Sequence, residues 1–150
     1  MPDARDPAGE PADPADLARG GVDDESRELL AHRYGHAAAD VLALVEADPE
    51  LGRRIVPELP DLLAEAPFAV RNEQANSVAD VLLRRTRLGI LDAPRLTAPG
   101  GPEARAVAEA MARELGWDEA QVDRELDAWL EVARAEGVVV APRAEASTPA

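Results

Sequence analysis

His32 and His36 stand four residues apart, the spacing at which two imidazoles on one helix can share a metal ion. Gly35 lies between them and interrupts any helix there, and no third ligand is nearby in sequence, so the pair reads as two surface histidines. Cysteine is absent, which removes thiol nucleophiles, thiolate metal sites and disulfides. No Ser-His-Asp set, zinc spacing or phosphate-binding loop is found, and close carboxylates are frequent only because the helices are acidic. No residue is therefore assigned a catalytic, cofactor-binding or metal-binding role. One charged side chain does stand out. At 100° per residue, Val78, Val81, Leu82 and Leu88 share a helix face, with Asp80, Arg84 and Arg87 opposite, and Arg85 projects from the middle of the apolar face. A guanidinium left unpaired in a core is too costly, so Arg85 is expected to be buried with a carboxylate, Glu65 or Glu73 by sequence order.

The elements that must position these groups are helical. Ser77 followed by Asp80 resembles a capping box and starts a helix over 78–91. Leu83, Ile90 and Leu91 lie off its main stripe and give it a second apolar flank, a candidate docking surface. Before it, Asp23 or Asp24 caps a helix that Gly35 stops after Tyr34. A second helix carries Val41, Leu42, Leu44 and Val45 and ends at Asp48-Pro49. Residues 49–62 read as an irregular connection, and a short helix is expected from Pro67, a residue tolerated only in a first turn, to Gln74. Residues 93–101 read as a loop. A helix from Pro102 then turns Ala104, Val107, Ala108, Met111 and Leu115 inward, and Gly116 ends it. Trp117 is expected to plug the following corner, and Asp118 with Gln121 opens a last helix striped with Val122, Leu126, Trp129, Leu130 and Ala133. Gly137 stops that helix, and Val138 to Val140 form a short extended end.

The fold class expected is all-α: a single bundle-like domain of about six short helices over residues 23–140. Residues 1–22, rich in Pro, Ala, Asp and Gly, form a disordered acidic tail, and residues 141–150 a frayed one. The net charge is −14, from 16 basic residues, all Arg, against 30 acidic ones. Residues 1–51 hold 4 Arg against 13 acidic side chains, residues 52–96 hold 7 against 6, and residues 97–150 hold 5 against 11. That balance disfavours nucleic acid, including the helix-turn-helix reading that Arg84-Arg85-Thr86-Arg87 late in a second short helix would invite. No signal-peptide pattern and no membrane-length apolar run is present, and the expected location is cytoplasmic.

The run from Glu73 to Leu88, EQANSVADVLLRRTRL, resembles the E-x-A-x-[TS]-x-x-D-x-L-x-R-R-T-R-L run in the C-terminal helical domain of FAD-dependent glycerol-3-phosphate dehydrogenases and oxidases. Arg33-Tyr34-Gly35, Leu59-Pro60, Ala64-Glu65, Ala69-Val70-Arg71 and the Met111–Asp118 run MARELGWD resemble that family in order and spacing. Pro67 departs from it, standing where the family has an apolar residue. The resemblance implies a helical accessory domain whose FAD is bound by a separate dinucleotide-binding fold; a starting strand and G-x-G-x-x-G turn are missing from this sequence. The expected role is a stand-alone accessory domain, not catalytic by itself and without a cofactor of its own, that docks on a flavin-binding chain or self-associates. The alternative is a helical interaction module or a non-catalytic remnant of the enzyme. The structural or docking candidates are Arg85, Glu65, Glu73, Asp80, Arg84, Arg87, Leu83, Leu91 and Trp117.

Overall fold

A computed structural model describes residues 22–138; the expected tails lie outside the described residues except for Val22, which is buried. The described chain is helical, with a single isolated antiparallel bridge between Arg54 and Leu62 as its only extended pairing. It divides into two compact units, one running to Glu73 and the other starting at Gln74.

In the first unit, α1 spans Asp24–Tyr34, α2 spans Ala38–Ala47 and α3 spans Glu65–Glu73. Asp23 caps α1 by accepting the Ser26 N–H at 2.9 Å, which holds the Asp23 carboxyl below its ordinary pKa. Gly35, at φ +57°, turns the chain into one 3-10 turn before α2, and Asp48 with Pro49 ends α2 as the sequence requires. The connection from 49 to 64 is irregular but tied at several points. Leu63 N–H donates to Arg53 O at 2.9 Å, Ala64 N–H to Leu51 O at 2.9 Å, and the Ser26 hydroxyl to Pro60 O at 2.7 Å. The first two fold the connection onto itself, and the Ser26 bond ties it to α1. Helix α3 begins two residues earlier than the Pro67 start, at Glu65, and Pro67 sits in its first turn, where a missing N–H costs nothing. All nine residues from Asp61 to Ala69 are buried.

The second unit departs from the expected central helix. No continuous helix covers 78–91. After one α-helical step the chain forms a π-helical turn over Asp80–Arg85, closed by Thr86 N–H donating to Val81 O at 2.9 Å. A π turn advances roughly 80° per residue rather than 100°. Thr86 thereby takes the place between Val81 and Leu82 that α geometry gave to Arg85: Thr86 is buried, with its hydroxyl on Val81 O at 3.0 Å, and Arg85 is exposed. Arg87 then adopts the left-handed region at φ +64° and breaks the helix, and α4 is only Leu88–Leu91.

Residues 93–101, expected as a loop, contain a further helix, α5, at Ala93–Leu96. Two longer helices follow, α6 at Pro102–Leu115 and α7 at Glu119–Ala135, the latter capped by Asp118, which accepts from Gln121 N–H at 2.8 Å. Gly116 at φ +76° separates them. Val107, Ala108 and Met111 of α6 and Val122, Trp129 and Ala133 of α7 are buried, whereas Leu115, expected inward, is exposed. Trp129 organises this core. Its indole N–H donates to Leu96 O at 2.8 Å, pinning α5 to α7, and its ring lies so close to Gly89 that a Cβ there would come within 2.7 Å of the ring edge.

Candidate functional site: a buried charge network

The strongest concentration of charge in a dry environment is in the first unit. Arg33 and Tyr34 project from the last turn of α1, Asp61 comes from the tied-down connection, and Glu65 is the first residue of α3. Glu65 is fully buried and Asp61 is nearly so. One nitrogen of the Arg33 guanidinium, Nη1, donates to both carboxylates, to Asp61 Oδ2 at 2.8 Å and to Glu65 Oε1 at 2.5 Å. The Tyr34 hydroxyl also donates to Glu65 Oε1, at 2.8 Å, and Leu62 N–H donates to Glu65 Oε2 at 3.0 Å. The Tyr34 ring meets Phe68 edge-on, with centroids 5.0 Å apart.

The local sequence explains the placement. A carboxylate at the first position of a helix is favoured by the helix dipole and by a free N–H such as that of Leu62. Burial is the largest influence on Glu65 and raises its pKa, against the pull of Arg33. Burial, then the Glu65 charge, pushes the Tyr34 phenol far above its ordinary range and keeps it a donor. Burial by itself would lower the Arg33 pKa, but the charges and hydrogen bonds of Glu65 and Asp61 outweigh it and raise it. Both Glu65 oxygens and the Tyr34 proton are used within the network. It acts as a clamp that fastens the end of α1 to the start of α3.

The residues singled out from sequence are not gathered into one site. Glu65 anchors the clamp, with Arg33 where Arg85 was expected. Glu73 is half-buried at the end of α3. In the second unit, Asp80 accepts the Asn76 N–H at 3.0 Å and lies 3.7 Å from Arg84, which is exposed, as are Arg85 and Arg87. Leu83 is half-buried and Leu91 is exposed. Trp117 is half-buried beside a groove of about 310 Å³, and the fully buried indole is that of Trp129. A second groove, of about 340 Å³, has Leu126, Trp129 and Leu130 as its floor and an Arg105–Asp123 pair at 2.6 Å on its rim. Among the described residues, no group of three or more His, Asp or Glu could hold a metal ion, and no helix is long and apolar enough to cross a membrane.

The family model for the C-terminal domain of alpha-glycerophosphate oxidase matches residues 10–122. The chain belongs to this family. It is similar to the glycerol-3-phosphate dehydrogenase of Synechocystis, 37% identical over 99 residues, which is 65% of this chain and 17% of the relative. It is similar to glycerol-3-phosphate dehydrogenase 2 of Mycobacterium tuberculosis, 40% identical over 97 residues, covering 65% of this chain and 16% of the relative. The human mitochondrial glycerol-3-phosphate dehydrogenase is 31% identical over 112 residues, 71% of this chain and 15% of the relative. The chain thus spans about a sixth of the length of these relatives. No solved structure matches. Arg33-Tyr34 and Ala64-Glu65, the two halves of the clamp, were both among the segments that carried the family resemblance. Their pairing with each other is hidden by sequence separations of 32 and 31 positions.

Proposed function

We propose that this chain works as the helical accessory domain of a glycerol-3-phosphate dehydrogenase-like flavoenzyme, standing alone and docking on a flavin-binding chain that holds the FAD. The observation that carries the reading is the clamp. Among the described residues Glu65, Tyr34 and Arg33 are strongly perturbed titratable groups, and Tyr34 and Arg33 both donate to Glu65. Their bonds hold α1 to α3, as suits a scaffold. The family match supports the same reading. The expected location is the cytoplasm.

The test is recovery of the tagged full chain from its native cell, followed by absorption spectroscopy and glycerol 3-phosphate oxidation assays. The chain by itself should be colourless and inactive, and it should co-purify with a flavin-containing protein that carries the activity. Flavin retained by the isolated chain, or oxidation of glycerol 3-phosphate by it, would refute the reading. Recovery with no flavoprotein after crosslinking would refute the docking part.

A further inference from the structure

The groove of about 340 Å³ in the second unit runs beside the middle of α7. Trp129 is buried in its floor, whereas Leu126 and Leu130 are half-buried and keep apolar surface in contact with water. Leu130 is the lining residue nearest the C-terminal end of α7. Two carboxylates stand along the same helix. Asp123 already accepts from Arg105 at 2.6 Å, but the Asp127 carboxylate is exposed and has no hydrogen bond or ion pair among the described residues. The groove is thus an apolar trough with one uncommitted negative charge on its edge.

The end of α7 turns the chain toward that trough. Gly137, at φ +76°, donates its N–H to Arg134 O at 3.1 Å, and Val138 donates to Ala133 O at 2.8 Å. This is the Schellman arrangement, which folds the residue after the left-handed glycine back over the last helical turn. Val138 is half-buried there, and Ala133 shares a face of α7 with Leu126 and Leu130, seven and three residues before it. The chain continues as Val139-Val140-Ala141-Pro142-Arg143, in which Arg143 is the only basic residue after Arg134. β-Branched Val139 and Val140, and Ala141 ahead of a proline, favour extended backbone. The reach fits. Leu130 and Asp127 lie about 12 and 16 Å back from Val138 at the helical rise, and three and five extended residues span about 10 and 17 Å.

We infer that residues 139–143 fold back along α7 as a strap in this groove, with their apolar side chains on Leu126 and Leu130 and the Arg143 guanidinium on the Asp127 carboxylate. Four uncharged residues followed by one arginine match an apolar trough followed by one carboxylate. The tether to α7 is only a few residues long and gives the strap a high effective concentration, so a contact too small to hold a separate partner suffices. A second copy offers the same run only without that tether. The strap holds with or without a docked flavin-binding chain.

The full chain has no cysteine, so the rate of disulfide formation between an engineered pair reads the contact directly. Leu130→Cys with Ala141→Cys should close within one chain roughly ten-fold faster, or more, than Ala128→Cys with Ala141→Cys, because residue 128 is exposed on the opposite side of α7. Arg143→Glu should slow the first pair about two- to five-fold, and adding Asp127→Arg should restore its rate. Helical circular dichroism of the reduced proteins checks the fold. If Leu130→Cys loosens it, Asp127→Cys with Arg143→Cys makes the same comparison from an exposed position. Equal rates for the groove pair and the Ala128 pair, or closure of neither, would refute the strap. Closure chiefly between two chains, seen as a covalent dimer, would overturn it in favour of a groove filled by a second copy.

Discussion

Replacing Glu65 by Ala is the sharpest probe of the clamp. Three donors lose an acceptor together: Arg33 Nη1, the Tyr34 hydroxyl and the Leu62 N–H. A buried donor left without a partner costs about 1–3 kcal/mol. Arg33 contributes least to the loss, because it keeps Asp61 and is 24% exposed to water. Tyr34 and the Leu62 amide contribute most of it. The sum, about 3–5 kcal/mol, matches the usual cost of breaking one side of a buried pair and is a large part of the roughly 5–15 kcal/mol that holds an ordinary domain folded. Urea unfolding followed by helical circular dichroism reads it directly. If the two units unfold in separate steps, the loss should fall on the step that melts α1 and α3. Two comparators give the scale. Tyr34→Phe, which keeps the ring against Phe68, should cost about 1 kcal/mol, and Arg85→Ala, on an exposed side chain, should cost under about 1 kcal/mol. A Glu65→Ala protein within about 1 kcal/mol of wild type, or no more affected than Arg85→Ala, would refute the clamp.

Gly89→Ala should destabilise the chain by about 1–3 kcal/mol through overpacking, because the new methyl meets the rigid Trp129 ring at 2.7 Å and Leu82 O at 3.2 Å. Differential scanning calorimetry checks this, and an unchanged melting temperature would place Trp129 elsewhere. The pH dependence follows from the raised pKa of Glu65. The folded protein binds this proton more tightly than the unfolded chain does, so the stabilisation is fully present below the ordinary value of 4.5 and is lost as pH rises through the folded-state value. Urea midpoints measured across that window should fall more steeply with pH for wild type than for Glu65→Gln, and parallel profiles would contradict the burial of this carboxyl.

The sequence alone was sufficient for the family, the all-α class and most helix ends. Those depend on local chemistry that a linear reading captures: Asp23 and Asp118 as caps, Gly35, Gly116 and Gly137 as left-handed stops, Asp48-Pro49 as the end of one helix and Pro102 in the first turn of another, and an apolar stripe at helical period along α7. It also placed Ile90 and Leu91 off the main stripe of their segment, where the structure has them exposed. Tertiary structure decided which arginine meets Glu65. A wheel drawn at 100° per residue placed Arg85 in the core, but the π turn over Asp80–Arg85 changed the angular step and substituted the buried Thr86. Only the bond from Thr86 to Val81 and the left-handed Arg87 reveal that turn, and both belong to the backbone path rather than to residue type. Arg33 could be matched to Asp61 and Glu65 only after the connection from 49 to 64 had been folded onto itself and tied to α1 by its hydrogen bonds. A pair formed across some thirty residues leaves no periodic signal in the chain, because its geometry is set by the packing of intervening segments and not by local conformational preference.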